Sequence, residues 1–409
     1  MKCRHCNSRD LKKVIDLGLS PISNAYVLGA DLNTYEKWYP LKLNVCSECF
    51  LVQTEDYSNP DELFTNDYAY FSSFSKTMLD HSKNYVNKMI QRYSLKTDSK
   101  VIEIAANDGY LLQYFKNLNI PCFGVEPTKS TAEAARKRGI EVVEGFFGVD
   151  LAKKLVKKYF LADLVISNNV LAHVPDINDF VKGYSILLKP DGVATFEFPY
   201  LMNLFEKNQF DTIYHEHYSY LSLTAVNKIF NSNGLHVFDV ELIDIHGGSL
   251  RVYAQKENKS SIKSQSKLVQ ELLSKEYNQG YLSERVYLEF QKKAEKSKNE
   301  MIKFLISAKE KGKLVCAFGA AAKGNTFINF AGIRSDLIAM VGESNPVKQG
   351  KYMPGSRIPI VSEQTLASYK PDYVIILPWN LEKEIRHQLN YMRSWDCNFV
   401  IGIPELKIL

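Results

Sequence analysis

Between residues 100 and 198 the chain alternates short apolar runs with helix-length stretches, and few folds can absorb that alternation. Val101-Ile102-Glu103-Ile104, Cys122-Phe123-Gly124-Val125, Glu141-Val142-Val143, residues 162–169 and residues 192–198 have the length and β-branched content of strands. Helices are expected over 75–93, 149–159 and 177–188. Strands joined through helices lie parallel, because each crossover carries the chain back before the next strand begins. The expected fold is α/β, built on a doubly wound parallel sheet.

At 409 residues the chain exceeds one ordinary domain of roughly 100–200 residues, so two or three are expected. Hydrophobic residues make up 45% and charged residues 24%, which excludes disordered and low-complexity classes. No run reaches the roughly 18 apolar residues of a spanning helix, and Met1-Lys2-Cys3-Arg4-His5-Cys6 has no apolar leader. A soluble cytoplasmic protein with no membrane partner is expected; the oligomeric state is open, with a monomer favoured. The net charge of +5, from 51 basic and 46 acidic residues, is too weak a field for nucleic-acid binding. It better suits a small anionic substrate.

Four of the seven cysteines form two pairs, Cys3-x2-Cys6 and Cys46-x2-Cys49. Four thiolates at this spacing suit tetrahedral Zn2+. Disulfides are the competing use, but they belong to oxidising compartments. Four sulfurs close the shell, so the metal is expected to be structural. His5 lies between two ligands, yet the set is complete without it. Cys122, Cys316 and Cys397 sit in apolar runs and are expected in the core.

The turn after the first strand of the alternating block decides the cofactor. Dinucleotide folds use G-x-G-x-x-G so that backbone can approach a pyrophosphate. Here Glu103-Ile104-Ala105-Ala106-Asn107-Asp108-Gly109-Tyr110-Leu111 holds one glycine and two acids. Such a loop repels an anion and suits a cationic sulfonium with an amino-acid head. S-adenosylmethionine is therefore expected, not NAD. Glu126-Pro127 ends the next strand, where an acid typically binds ribose hydroxyls. Ala105, Asn107, Asp108, Gly109 and Leu111 are expected at the cofactor, with Asn168 and Asn169 at the tip of the fourth strand. Phe146 and Phe147 suit an adenine sandwich or the core.

With the amino-terminal cysteine pairs, Glu103–Leu112 resembles the sugar C-methyltransferases that make branched-chain deoxysugars. Tyr68-Ala69-Tyr70-Phe71-Ser72-Ser73, Tyr214-His215-Glu216-His217 and Gly319-Ala320-Ala321-Ala322-Lys323-Gly324 match that family's pattern in the same order. The resemblance implies a zinc-binding domain, a SAM-dependent methyltransferase domain and a carboxy-terminal Rossmann-like domain, expected over 1–67, 68–245 and 246–409. It also implies methylation of the ring carbon beside the ketone of a nucleotide-linked keto-deoxysugar, with C-3 of a 4-keto sugar the expected position.

A C–H beside a ketone loses its proton when the charge can spread onto oxygen as an enolate. The site therefore needs a base near neutrality and a donor to the enolate oxygen. Histidine suits the first role. The resemblance makes His217 the base, with Tyr214 and Glu216 beside it and His173 a second acid/base; sequence alone does not separate His217 from His215. A zinc-type His-x-His pair is the rival use of these two, and a helix cap that of His173. In the segment 68–75, tyrosines can close over a sugar and serines can hold a methionine carboxylate. Tyr70 and Ser72 are assigned to the cofactor, and Tyr68 and His215 to the substrate.

The last third carries a long expected helix over 283–311, then a strand and a small-residue turn opening a helix. That turn exposes backbone N–H groups to an anion, and Lys323, Asn325 and Thr326 are expected at the substrate diphosphate. Lys348 and Lys351 form a second basic turn, after Glu343-Ser344 at a position where the family often has aspartate. His246 and Arg251 flank a glycine turn; Arg251 could bind phosphate or pair with an acid. The alternatives are a small-molecule O- or N-methyltransferase, which needs no carbon-acid base, and a SAM-sensing or RNA-binding protein with a zinc ribbon.

Overall fold

The computed structural model describes residues 1–57, 71–245, 247–257 and 263–409. The roles expected of Tyr68, Tyr70 and His246 lie outside the described residues. The first unit is an antiparallel sheet of β1 (Leu11–Ser20), β2 (Tyr39–Cys46) and β3 (Val52–Thr54). Its outer edge at β3 takes up a strand from much later in the chain, Ser219–Tyr220. That strand follows directly on the histidine segment.

The middle unit contains β4 (Val101–Ile104), β5 (Cys122–Glu126), β6 (Glu141–Glu144), β7 (Ala162–Asn168) and β8 (Leu188–Pro199). With Ser219–Tyr220 counted as β9, β10 (Leu235–Ile243) and β11 (Ser249–Lys256) complete a seven-stranded sheet in the order β10-β11-β8-β7-β4-β5-β6. Strands β4 to β8 are parallel as expected. β11 runs antiparallel to both β8 and β10, so the sheet is mixed. The expected domain boundary at 245/246 falls inside the β10–β11 hairpin, whose second strand belongs to the middle sheet. A glycine turn between two strands reads like a linker when only local sequence is considered.

Helix Lys76–Tyr93 lies before this sheet. The Ser75 side chain caps it by accepting from the Met78 N–H, and Met78, Ser82, Tyr85, Val86 and Met89 recur on its buried face. The third unit has β12 (Val315–Phe318), β13 (Val341–Glu343), β14 (Ile360–Ser362), β15 (Tyr373–Ile376), β16 (Asn398–Ile401) and β17 (Lys407–Ile408). Their order is β14-β13-β12-β15-β16-β17, with only β17 antiparallel. The long helix before it, Phe290–Glu310, starts later than expected, after a separate turn of helix at Arg285–Leu288.

Strand order reverses at β4/β7 and again at β12/β15, and ligands of open α/β sheets bind outside the carboxyl ends of strands at such points. One apolar cluster runs through all three units, from Ile15 and Leu43 through Phe196 and Phe210 to Phe327 and Ile375. The units therefore share a core instead of meeting at wet interfaces. Cys316 and Cys397 are buried and Cys122 half-buried, as expected of packing residues.

Candidate active site

The four sulfurs of Cys3, Cys6, Cys46 and Cys49 lie within 4.8 Å of one another, the sole such cluster of possible ligands among the described residues. Each pair is closed by a left-handed residue: the Asn7 N–H (φ 61°) donates to the Cys3 carbonyl, and the Phe50 N–H (φ 63°) to that of Cys46. Two such knuckles facing each other suit one tetrahedral zinc. The His5 Nδ1 points away, 2.8 Å from the Asn178 Oδ1. The cluster is a four-cysteine zinc site.

The cofactor loop leaves β4 through three left-handed residues in five: Ala105 (φ 57°), Asn107 (φ 49°) and Gly109 (φ 76°). Such backbone is costly for a side chain bearing a Cβ and concentrates at ligand sites. The loop is pressed onto β5 at Gly124, where an added Cβ would lie 2.5 Å from that of Ala106. Glu126, at the tip of β5, accepts backbone N–H groups from Asn107 (2.9 Å) and Thr128 (3.0 Å), one on each oxygen. A carboxylate has about four lone-pair sites, so both oxygens retain capacity for a ribose diol. The Oδ1 atoms of Asn168 and Asn169, at the tip of β7, are buried without a partner. Orphaned acceptors beside a strained loop fit a polar ligand such as S-adenosylmethionine.

The two acids of the loop are compensated from within the protein. Asp108 is not aimed at a sulfonium: Arg138 pairs with it at 2.8 Å, and the Ser73 hydroxyl donates to it. Glu103 is buried under the loop, and burial, with Glu126 and Asp108 nearby, pushes its pKa well above the carboxylate range. The loop's negative charge is thus largely spent before a ligand arrives. Phe147 packs edge-on to Phe180 and Tyr184 and belongs to the core, whereas Phe146 is exposed. Leu111 is fully buried behind the loop, Pro127 is half-buried after Glu126, and the Ser72 N–H donates to the Asn107 Oδ1 at 2.9 Å.

At the carboxyl end of β7 the chain makes a helical turn, Leu171–His173, which sets the His173 ring against His217, their centroids 4.6 Å apart. The Tyr214 ring lies over His217, centroids 4.0 Å apart and planes tilted by 34°. The His217 Nδ1 lies 3.0 Å from the Thr212 carbonyl, and the His173 Nδ1 lies 2.9 Å from the Glu216 carbonyl. A carbonyl only accepts, so each Nδ1 carries its proton and each Nε2 is the basic nitrogen. Burial lowers the His173 pKa to about 4 despite the Glu216 carbonyl, so His173 is neutral at pH 7. It is no surface helix cap.

His215 turns the other way. Its Nε2–H donates to the Pro40 carbonyl at 3.2 Å and its ring meets Tyr39 edge-on, so it joins the histidine segment to β2. The Glu216 carboxylate is buried and accepts the Asn24 amide on both oxygens at 2.8 Å. Burial drives its pKa up to about 7, with Asn24 and then Lys348 pulling it down.

Around the third unit's turn, Lys323 donates to the Asn380 Oδ1 (2.7 Å) and lies on the Trp379 ring. Lys348 donates to the Ala320 carbonyl at 2.8 Å, and Lys351 is half-buried nearby. Asn325 and Thr326 do not line an anion site. They are buried clasps between units, donating to the carbonyls of Ser23 (2.6 Å) and Ile213 (2.8 Å). Arg251 is likewise no phosphate ligand: it is buried in β11 and paired with Glu197 (2.6 Å) and Glu241 (3.1 Å). Sequence reasoning missed Asn24, Arg138, Thr212 and Asp211, whose partners lie far along the chain or on the backbone. Asp211 accepts from the Trp379 indole at 2.7 Å, fixing the turn whose Thr212 carbonyl orients His217.

A β4–loop–β5 cofactor cradle with a histidine cluster at the tip of β7 defines a SAM-dependent methyltransferase. Three family models match in succession: a zinc binding domain over residues 3–64, a methyltransferase domain over 78–240 and a C-methyltransferase C-terminal domain over 244–404. The chain is 33% identical over 408 residues to the C-methyltransferase NovU of Streptomyces niveus, covering 100% of this chain and 96% of that protein. It belongs to the C-methyltransferase family. Likeness to solved structures is weaker. PH0226 from Pyrococcus horikoshii covers 46% of this chain and 95% of its own, at 16% identity and TM-score 0.37. Magnesium protoporphyrin IX methyltransferase from Synechocystis covers 44% and 79%, at 13% and 0.34.

Proposed function

We propose that the protein methylates the ring carbon beside the ketone of a nucleotide-linked keto-deoxysugar, C-3 of a 4-keto sugar being the favoured position. The observation that carries the reading is the His217 ring, whose Nδ1–H is fixed on the Thr212 carbonyl so that Nε2 is the basic nitrogen. Bound S-adenosylmethionine supplies an electrophilic methyl group on sulfur. His217 takes the proton from the carbon, and the C–H electron pair moves into the ring as the ketone oxygen gains negative charge. Tyr214, whose ring lies against His217, offers its phenol to that oxygen. His173 is neutral with its one N–H spent on Glu216, so it can accept a hydrogen bond but has no proton for the enolate. Glu216 takes a ring hydroxyl. The diphosphate is assigned to the crevice outside β12 and β15, where Lys323, Lys348 and Lys351 supply positive charge.

The test uses the nucleotide-sugar in D2O with S-adenosylhomocysteine in place of the methyl donor. Wild type should exchange the proton beside the ketone, and His217→Asn should lose exchange and turnover by about 100-fold or more while still binding the thioether. Turnover at wild-type level in His217→Asn overturns the assignment of the base. Methyl transfer without any exchange points to an O- or N-acceptor.

A further inference from the structure

The Asn24–Glu216 contact joins the zinc-binding unit to the histidine segment, and both of its ends are held. The turn carrying Asn24 is closed by the Ala25 N–H on the Ile22 carbonyl (3.1 Å) and the Tyr26 N–H on the Asn24 carbonyl (2.9 Å). The carboxy-terminal unit grips the same turn, Asn325 on the Ser23 carbonyl (2.6 Å) and the Tyr26 hydroxyl on the Ala320 carbonyl (2.6 Å). At the other end, the Glu216 main chain receives the His173 Nδ1–H, and its side chain receives Asn24. One residue thus faces the proton-transfer histidines with its backbone and the junction of all three units with its carboxylate.

We propose that Asn24 is a positioning residue for Glu216, its amide fixing the carboxylate as the acceptor for a ring hydroxyl of the sugar. The hydroxyl contact rests on the sugar-methyltransferase reading; the hold of Asn24 on Glu216 does not. The ionisable groups that face this carboxylate are Lys348, Tyr26 and Tyr218, with Glu343 behind Lys348 at 4.0 Å. Lys348 favours the ionised form, while burial opposes it and outweighs the rest. The folded carboxyl at about 7 lies above its usual 4.5. The stability it lends is therefore fully present below about 4.5 and is lost as pH rises through about 7. Removing Asn24 takes away a donor to the ionised form, raises the carboxyl further and extends that loss to higher pH. At neutral pH the group then carries a proton and offers a donor where an acceptor is needed.

The experiment follows thermal unfolding of the full chain as wild type, Asn24→Ala, Glu216→Gln and the double variant, from about pH 5 to 8.5. The gap between wild type and Asn24→Ala should widen as pH rises, and the gap between Glu216→Gln and the double variant should stay flat. With a nucleotide-sugar in hand, Asn24→Ala should lose about tenfold or more in kcat/KM at pH 7, partly restored at higher pH. A gap that does not change with pH, or that widens equally with Gln at 216, overturns the positioning role and makes Asn24 a packing residue. A widening gap in a protein that methylates no sugar overturns the hydroxyl contact alone.

Discussion

The methyltransferase unit and the carboxy-terminal unit end their second strands in the same way. In the first, Glu126 closes β5 and accepts the N–H groups of Asn107 and Thr128. In the second, Glu343 closes β13 and accepts those of Ala320 (2.9 Å) and Asn345 (2.9 Å). The two differ in what lies beside the carboxylate. Glu126 neighbours a strained loop and orphaned asparagine acceptors. Glu343 neighbours the Lys348 ammonium at 4.0 Å, which also binds the Ala320 carbonyl together with the Tyr26 hydroxyl. The first carboxylate stands beside buried acceptors that have no protein partner, and its counterpart is tied through Lys348 and the Ala320 carbonyl to the zinc-binding unit. Charge burial differs too. The first sheet encloses Arg251 with Glu197 and His81, whereas the cluster of Cys316, Phe318, Val374 and Phe399 in the second is apolar.

That contrast predicts unequal damage. Arg251→Ala strands the Glu197 carboxylate in the interior and should cost about 3–5 kcal/mol by urea unfolding; a cost under about 1 kcal/mol would mean the pair is solvated. Although burial opposes it, His81 and Arg251 hold Glu197 at about 2, below its usual 4.5. The stability from this lowered pKa is complete above about 4.5 and is lost as pH falls toward 2, about 3 kcal/mol in all. Glu197→Gln should flatten that acid limb.

Glu126→Ala should weaken S-adenosylhomocysteine binding about 100-fold in calorimetry, as befits two hydrogen bonds to a charged group. Glu343→Ala should leave that affinity within about twofold and lower thermal stability instead. Equal losses from both would break the comparison. The smallest effects are expected of two glycines. Gly124→Ala drives a Cβ into that of Ala106 and should cost about 1–3 kcal/mol. Gly342→Ala meets the Leu366 Cδ2 at 2.7 Å and the Phe318 ring at 2.8 Å, side chains that can shift more readily than the loop at Ala106, and should cost less.

The features legible in the sequence are those set by local periodicity and by residue chemistry at short spacing. The apolar runs at 101–104 and 122–125, the paired cysteines and Glu126 needed no knowledge of distant partners. Arg251 was half legible. A lone basic residue in Leu250-Arg251-Val252-Tyr253-Ala254 sits in a strand covered on both faces, where charge survives only in a pair. The rest depends on contacts across long chain separations. Nothing near Asp108 announces Arg138, nothing near Glu216 announces Asn24, and nothing near His215 announces the Pro40 carbonyl. Left-handed backbone at Ala105 is equally silent in the sequence, since alanine does not advertise it as glycine or asparagine would.

The zinc-binding sheet is completed by Ser219–Tyr220, two residues past His217 in the chain. The amino-terminal unit is therefore not a bead that evolution or an engineer can exchange freely. A chimera that swaps residues 1–57 alone asks a foreign β3 to pair with the resident strand, and any slip there pulls directly on the histidines. Productive recombination has to move the first unit and the 214–220 segment as one inheritance, though most of the methyltransferase lies between them.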